Sequence, residues 1–234
     1  MKYIIKFKKQ GKIRFISHLD LQKVFLRLFR IIDVKPKYSN GFNPHPKLSF
    51  ALPLSLGFAS EAEYLELETE SEASFNIEDV KSRLLEYLPD GLTISYIQPK
   101  PENINKKLAS YIDSAGYLVL CPYFENGEKY IKKYLSQEEI TYEKTSRKSG
   151  KTKMVNIKPS IHELKIVSID NNIISLSTLL HAGSDSVLNP NVLIQNLFEY
   201  MDMQIDINEL SVTRKNVFCN VNGRILNVDH IVGI

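Results

Sequence analysis

The chain has 234 residues, of which 43% are hydrophobic and 24% are charged, a balance typical of globular proteins. Its 11 Phe and 12 Tyr supply enough apolar surface to exclude disorder as the dominant state. No apolar run reaches the roughly 18 residues that a membrane helix needs. The first residues also hold too short an apolar stretch for a signal peptide. We therefore expect a cytoplasmic protein with no membrane partner.

The net charge of +3 is unevenly distributed along the chain. Residues 1–60 hold 12 Lys or Arg against two acids, a balance of +10, whereas residues 61–90 hold ten acids against two basic residues, a balance of −8. Such asymmetry does not specify a fold, but it indicates a basic face that could meet a polyanion.

The first half of the chain alternates between strand and helix patterns. The predicted elements, in chain order, are a strand at 2–8, a helix at 17–32, strands at 47–54 and 63–69, a helix at 76–88 and a strand at 92–97. A short return strand or extension is expected at 13–15. This order predicts a ferredoxin-like (βαββαβ-type) module over residues 1–98, with an inserted loop and strand.

The second half repeats this order more weakly. The predicted elements are a strand at 117–121, a helix at 128–135, a strand at 140–144, a hairpin at 164–169 and 173–179, a helix at 190–201 and a strand at 205–213. We expect a second, more divergent ferredoxin-like module at 103–215 and a C-terminal tail at 216–234. The predicted fold class is therefore α+β, with two ferredoxin-like modules side by side.

The cysteine count limits the possible metal chemistry. Cys121 and Cys219 lie about a hundred positions apart, which excludes a Cys-rich zinc site and a three- or four-cysteine iron–sulfur cluster. The other possible ligands have a spacing that matches no standard metal site; they are His18, Asp20, His45 and either Glu61 or Glu63. We predict no cofactor and no metal.

Residues 17–64 hold the densest group of unusual residues. Ser17, His18 and Asp20 begin a helix, where they either cap it or bind phosphate together with the first-turn amides. Asn43 and His45 lie in the loop Asn40-Gly41-Phe42-Asn43-Pro44-His45-Pro46, which Pro44 and Pro46 stiffen. His45 either bonds to a backbone carbonyl or forms an acid–base set with Tyr38 and Lys47 for metal-free RNA cleavage.

A second basic group follows the strand at 140–144. Residues 144–158 hold six basic residues and no acid; Arg147, Lys148, Lys151 and Lys153 are the candidates for phosphate contact. Such a run is either a solvated loop or a phosphate-binding segment. Tyr142 and Phe42 could stack on bases. The loop at 181–186 precedes a helix and could hold an anion, although capping alone explains most of it.

These motifs resemble a bacterial radical-SAM-linked domain of unknown function, in its form without the enzyme domain. The resemblance rests on SHLD, on YSNGFNPHPKLSFALPLSLGFASEAEY and on RKSGK. The matching positions are Ser17, His18, Asp20, Tyr38, Ser39, Gly41, Asn43, His45, Pro46, Ser60, Glu61 and Tyr64. The family has no established activity, so the resemblance implies no catalytic residue. It does imply a separate radical-SAM partner, because two cysteines cannot hold the required cluster.

This chain departs from the family pattern in its second half. It has Asn156-Ile157-Lys158-Pro159 where relatives tend to have Asp-x-Arg-Pro, and Asn189-Pro190 where they tend to have Arg-Pro. A site made by those acids and arginines is therefore in question here.

Three functions follow as hypotheses. The first is an RNA-binding accessory protein that presents tRNA or rRNA to a radical-SAM modification enzyme. The second is a metal-independent endoribonuclease of ferredoxin-like type that uses Tyr38, His45 and Lys47. The third is a protein–protein adaptor whose acidic strip at 61–90 docks a basic partner through Glu66, Glu68 and Glu70. Whether the protein is an enzyme stays open at this point.

Overall fold

The computed structural model describes residues 1–70, 76–145 and 150–233. Strands dominate these ranges and helices are few, which confirms the predicted α+β class. The chain divides into two compact units, Met1–Asp113 with Arg214–Ile234, and Ser114–Thr213. No helix in the described ranges has the length and apolar character that crossing a membrane requires. The predicted module boundaries at 98, 103 and 215 stay predictions.

The regular elements are numbered in chain order. The strands are β1 (Lys2–Lys9), β2 (Leu48–Phe50), β3 (Ala59–Glu68), β4 (Leu92–Pro99), β5 (Ile112–Pro122), β6 (Thr141–Thr145), β7 (Thr152–Asn156), β8 (Ile161–Asp170), β9 (Ile173–His181), β10 (Ser211–Val221) and β11 (Arg224–Asn227). The helices are α1 (His18–Ile31), α2 (Ile77–Tyr87), α3 (Gly127–Leu135), α4 (Pro190–Tyr200) and α5 (Val228–Ile231).

The first unit is built on a sheet with β1 at its centre. β1 pairs antiparallel with β3 on one side and β4 on the other, and β2 pairs antiparallel with β3. Alternate residues of a strand point to opposite faces, so Tyr3, Ile5 and Phe7 share one face. These three side chains are buried against Phe25 of α1 and Leu84 of α2 in the core of this unit.

Helix α1 has the apolar stripe that its sequence predicts. Its residues Leu21, Phe25, Leu28 and Phe29 are buried, at the spacing of one helix face. The buried aromatic rings of the core contact one another edge-on, since the Phe7 and Phe25 ring centroids lie 4.9 Å apart at 62°. This packing holds the polar face of α1 toward solvent.

The second unit has an antiparallel arrangement of its own. β9 pairs with β5 and with β8, and β6 and β7 form a separate two-stranded hairpin. Helix α4 begins at Pro190, and the Asn189 side chain accepts the Asn191 N–H at 2.9 Å as its N-cap. The strands of the predicted hairpin are longer than the sequence patterns indicated.

Two short predicted strands are wrong in detail. Residues 13–15 belong to a 3-10 turn at Gly11–Phe15, not to a strand. The strand predicted at 205–213 begins only at Ser211, because the Asp206 side chain accepts the Asn208 N–H at 2.9 Å and caps a 3-10 turn at Ile207–Glu209.

Residues 216–233, predicted as part of a tail, form the rest of β10, β11 and α5.

Candidate nucleic-acid interface

The SHLD motif caps helix α1. Ser17 Oγ accepts the Asp20 N–H at 3.1 Å and donates to Asp20 Oδ2 at 2.7 Å. Lys23 Nζ lies 3.0 Å from Asp20 Oδ1, and the hydrogen bonds from Ser17 and Lys23 lower the pKa of the exposed Asp20 carboxyl. The His18 ring packs edge-on against Phe50 at 4.9 Å. These contacts fit the capping interpretation, while the phosphate-binding role of Ser17, His18 and Asp20 stays a prediction.

The loop at 37–47 is a closed turn, which we call the histidine turn. The Ser39 N–H donates to His45 O at 2.8 Å, and the His45 N–H donates to Ser39 Oγ at 2.9 Å. The Lys47 N–H donates to Lys37 O at 2.7 Å. These bonds fix the base of the turn, and its tip exposes Phe42 completely, with a relative accessibility of 112%.

Glu68 of β3 anchors the base of the histidine turn. Lys37 Nζ and Lys47 Nζ each lie 3.2 Å from the Glu68 carboxylate, and backbone bonds join Lys37 and Lys47 to the Glu68 peptide groups. Burial alone would raise the pKa of Glu68, but the hydrogen bonds from Lys37 and Lys47 hold it below its usual value. The Lys47 ammonium is therefore paired with a carboxylate that it shares with Lys37.

A pocket of about 360 Å³ opens beside the C-terminal end of α1. Exposed Arg30 and Lys35 line it together with Tyr38, which is 48% exposed. The remaining lining residues are Leu26, Asp33, Val34, Pro36 and Glu70. The pocket thus combines an aromatic ring, two cations and two carboxylates, a set that offers stacking together with hydrogen-bond donors and acceptors.

The predicted acid–base set does not share this pocket. Tyr38 lines it, but His45 and Lys47 do not. Tyr38 pairs with Pro46 across the turn through an isolated bridge, while Lys47 is bound to Glu68. The catalytic role of Tyr38, His45 and Lys47 therefore stays a prediction.

The second basic group lies on the β6–β7 hairpin, and it is described only in part. Lys151 is exposed, and Lys153 is exposed on β7 opposite Lys144 of β6. Arg147 and Lys148 lie outside the described residues. Lys158 Nζ donates to Leu135 O, so this cation supports the fold of the second unit.

The loop at 181–186 has an internal partner for its histidine. His181 Nε2 lies 2.9 Å from Asp185 Oδ1, and this contact and the neighbouring backbone amides lower the pKa of Asp185. The Asp185 carboxylate therefore already has a partner within the loop.

Several acids of the acidic strip at 61–90 are paired inside the first unit. Glu61 pairs with Lys215 and Glu66 with Lys100, while Glu66 Oε2 also accepts the Leu108 N–H at 2.7 Å. Glu68 holds the two lysines described above. Glu66 and Glu68, two of the three acids named for the adaptor surface, therefore pair within the fold, and the adaptor function stays a prediction.

Sequence reasoning missed the most deeply buried ion pair of this unit. Arg214 Nη1 lies 2.7 Å from Glu63 Oε1, and both side chains are only 3% exposed. The Arg214 guanidinium also donates to Leu52 O at 2.9 Å and Pro53 O at 2.8 Å. Burial and the nearby Arg214 charge lower the pKa of Lys9, while Glu63 opposes that shift. The LPLSLGF and SEAEY motifs therefore meet at Arg214.

With these motifs placed on the fold, the family can be stated. The chain belongs to a family of uncharacterized proteins conserved in bacteria, DUF2344. The DUF2344 match covers residues 2–190, so it includes the histidine turn and ends at the start of α4. No curated protein matches this DUF2344 chain.

Solved structures share only a distant likeness with this DUF2344 protein. A Cbf5-Nop10-Gar1 complex matches 92% of the chain at 8% identity with a TM-score of 0.49. An archaeal box H/ACA sRNP Nop10-Cbf5 complex and an H/ACA RNP bound to a substrate RNA containing 2'-deoxyuridine each match 91% of it, at 10% and 11% identity, with TM-scores of 0.46 and 0.43. The chain spans about half the length of these chains, at 46% to 48%.

Proposed function

We propose that the protein binds single-stranded RNA through the histidine turn and the pocket beside it, and presents that RNA to a separate enzyme. The observation that carries this proposal is the pocket that joins Tyr38 to Arg30 and Lys35. Single-stranded RNA is usually recognised by stacking its bases on aromatic rings and by contacting its phosphates with cations.

The placement of Arg30 and Lys35, rather than the net charge of a pocket that also holds Asp33 and Glu70, supports the choice of an anionic ligand. Several cations of the first unit form ion pairs within the chain, namely Lys6, Lys23, Lys37 and Lys47. Within residues 1–70, 76–145 and 150–233, no ion pair engages Arg30 or Lys35. These two cations are therefore available for phosphate oxygens at the mouth of the pocket.

The other groups of the pocket fit a nucleobase better than a bare phosphate. Tyr38 offers a ring face for stacking, and the Asp33 and Glu70 carboxylates can accept hydrogen bonds from exocyclic amino groups. Phe42, fully exposed at the tip of the turn, offers a second ring for a neighbouring base. Asn43 and His45 follow Phe42 in the same turn and are proposed as further RNA contacts.

We infer further that the first unit is a ferredoxin-like module. Its antiparallel pairs run in the order β4-β1-β3-β2, and α1 and α2 contribute to the core on one face. The antiparallel order β5-β9-β8 with α3 and α4 supports the same proposal for the second unit. Lys151 and Lys153, with Arg147 and Lys148, remain proposed phosphate contacts of that second module, and the cytoplasmic location remains a prediction.

Substitution of Tyr38 tests the stacking contact. We expect Tyr38→Ala to weaken binding of a 12-mer that contains uridine and adenosine by about 5- to 150-fold, since one base–aromatic stack contributes about 1–3 kcal/mol. Tyr38→Phe keeps the ring and is expected to bind within about twofold of the unchanged protein. Fluorescence anisotropy of a labelled oligoribonucleotide measures both.

A matched control separates this contact from general effects of losing a tyrosine. Tyr87 of α2 is 52% exposed and lies outside the pocket, so Tyr87→Ala should leave RNA affinity unchanged. Equal weakening by both alanine variants, or no detectable RNA binding by the unchanged protein, would refute the proposal.

A radical-SAM enzyme is the partner that the sequence resemblance implies. Burial raises the pKa of both Cys121 and Cys219 to about 12, so neither thiol of this chain is suited to ligate a cluster. We therefore place the cluster on the separate enzyme. Adding the chain to a reconstituted radical-SAM RNA-modifying enzyme should lower its KM for RNA, and an unchanged KM would remove the partner from the proposal.

The endoribonuclease alternative, with Tyr38, His45 and Lys47 as its acid–base set, stays a prediction. Tyr38 lines the pocket while Lys47 is paired with Glu68. We propose RNA as a bound ligand that is not cleaved.

A further inference from the structure

A second group of hydrogen-bond donors lies on the first unit, outside the pocket. Lys6 Nζ lies 2.5 Å from Asp229 Oδ2, and the hydroxyls of Tyr64 and Tyr96 each donate to Asp229 Oδ1 at 2.9 Å. The three donors stand on three adjacent strands, because Lys6 is opposite Tyr64 on β3 and opposite Tyr96 on β4. The sheet itself therefore fixes their spacing.

These donors occupy the sheet face opposite the core. Ile5 and Phe7, which flank Lys6 in β1, point into the core with α1 and α2. Strand alternation therefore directs Lys6 to the other face. There its ammonium also lies 5.6 Å and 5.8 Å from the ring centroids of Tyr64 and Tyr96, so the two rings border the cation.

The electrostatics of this group favour an oxyanion. Burial raises the pKa of Asp229, but the hydrogen bonds from Lys6, Tyr64 and Tyr96 outweigh it and hold the carboxyl below its usual pKa. Burial and the Asp229 charge raise the pKa of both tyrosines, so their hydroxyls stay protonated and can donate. One cation and two O–H donors are thus directed at a single anionic position.

The Asp229 carboxylate, which accepts from these three donors, belongs to the short helix α5. Helix α5 has four residues, and its N-cap is Asn227, whose Oδ1 accepts the Asp229 N–H at 2.9 Å. Val228 is the buried residue of α5, and the preceding strand β11 pairs with β10 over four residues. Such short elements open more easily than the central strands that carry the donors.

We propose that Lys6, Tyr64 and Tyr96 form a binding site for a phosphate group, which Asp229 occupies in the closed form and vacates when α5 is displaced. A carboxylate and a phosphate both present oxygens to the same donors, so the aspartate serves as an internal competitor. This site lies apart from the pocket lined by Tyr38, and the inference does not depend on the RNA-binding proposal. The phosphate could belong to a free anion or to RNA.

The test uses the full chain with Asp229→Ala, which removes the competitor and leaves all three donors. Inorganic phosphate is titrated while NMR signals of the tyrosine rings are followed. We expect saturable shifts at Tyr64 and Tyr96, with an affinity at least roughly tenfold above that of the unchanged protein. Adding Lys6→Met to this variant should abolish the gain, and Asp170→Asn, an exposed aspartate of the second unit, should not produce it.

A gentler variant keeps the test informative if Asp229→Ala fails to fold. Asn227→Ala removes the cap of α5 but leaves the carboxylate, and it should raise phosphate affinity by a smaller factor. Phosphate affinity that stays unchanged in whichever of the two variants folds would overturn the inference and leave Asp229 as a structural anchor.

The source of the phosphate is distinguished in a second arm. If RNA supplies it, the folded Asp229 or Asn227 variant should also bind the 12-mer more tightly, and Lys6→Met should reverse that gain. If a free anion supplies it, only the phosphate titration should respond. Arg30→Ala with Lys35→Ala should leave phosphate binding intact, so failure of the RNA proposal and failure of this inference give different results.

Discussion

Replacing Arg214 by methionine is expected to destabilise the protein by about 3–5 kcal/mol, the usual cost of breaking a buried ion pair from one side. The substitution leaves the Glu63 carboxylate, which is 3% exposed, without the guanidinium that lies 2.7 Å from it. It also removes the donors that satisfy Leu52 O and Pro53 O in the LPLSLGF segment. Urea unfolding of the full chain, followed by circular dichroism, measures this loss.

Two controls identify the cause of that loss. Arg214→Met combined with Glu63→Leu removes both charges and should recover much of the lost stability, because an apolar pair of similar volume replaces the ion pair. Lys165→Met breaks the exposed pair between Lys165 and Glu163, where the two side chains are 58% and 44% exposed, and should cost under about 1 kcal/mol. Unfolding of Arg214→Met at the same urea concentration as the unchanged protein would contradict the role of this pair.

Local sequence patterns predict many of the strands and helices of the first unit. The alternation in residues 2–8 and the stripe of α1 predict elements whose buried faces form one core. The cap at Ser17 could also be predicted, since a capping side chain and its backbone partner lie three residues apart. These features depend on neighbours in the chain, and a single sequence shows such neighbours directly.

Long-range side-chain contacts left no comparable pattern. Arg214 and Glu63 are 151 positions apart, and Asp229 is 223 positions from Lys6. Such side chains meet because of the order of the strands in the sheet. The periodicity of a single sequence does not indicate that order. The same limit explains why the C-terminal segment was predicted as a tail. Its short strand β11 and four-residue helix α5 are recognised only from their contacts with β10 and with Tyr64 of β3.

The candidate site was predicted in part. The proline-rich sequence around His45 indicated a stiff turn, and backbone bonds at the base of the histidine turn provide it. The pocket was not predicted, because Arg30 on α1 and Lys35 after it are brought together with Tyr38 by the chain reversal at Asp33, which adopts φ +56°. A left-handed residue at a helix end has no decisive signature when it is not glycine.

Removing the two pocket cations is expected to have the largest effect on RNA binding. Arg30→Ala with Lys35→Ala should lower affinity for the 12-mer at least about tenfold at moderate salt, because two phosphate contacts are lost. The dependence of log affinity on log salt should become shallower by about 1.4, since each contact to a single strand contributes about 0.7 to the slope. Lys129→Ala with Lys132→Ala removes the same charge from exposed positions of α3 in the second unit.

The most direct test is a salt titration of RNA binding, from about 50 to 200 mM, on the unchanged protein and these two double variants. The account predicts a steep dependence for the unchanged protein, a weaker affinity and a shallower slope for Arg30→Ala with Lys35→Ala, and no change for the α3 control. Salt-independent binding, or equal losses in both double variants, would contradict an RNA site at the pocket.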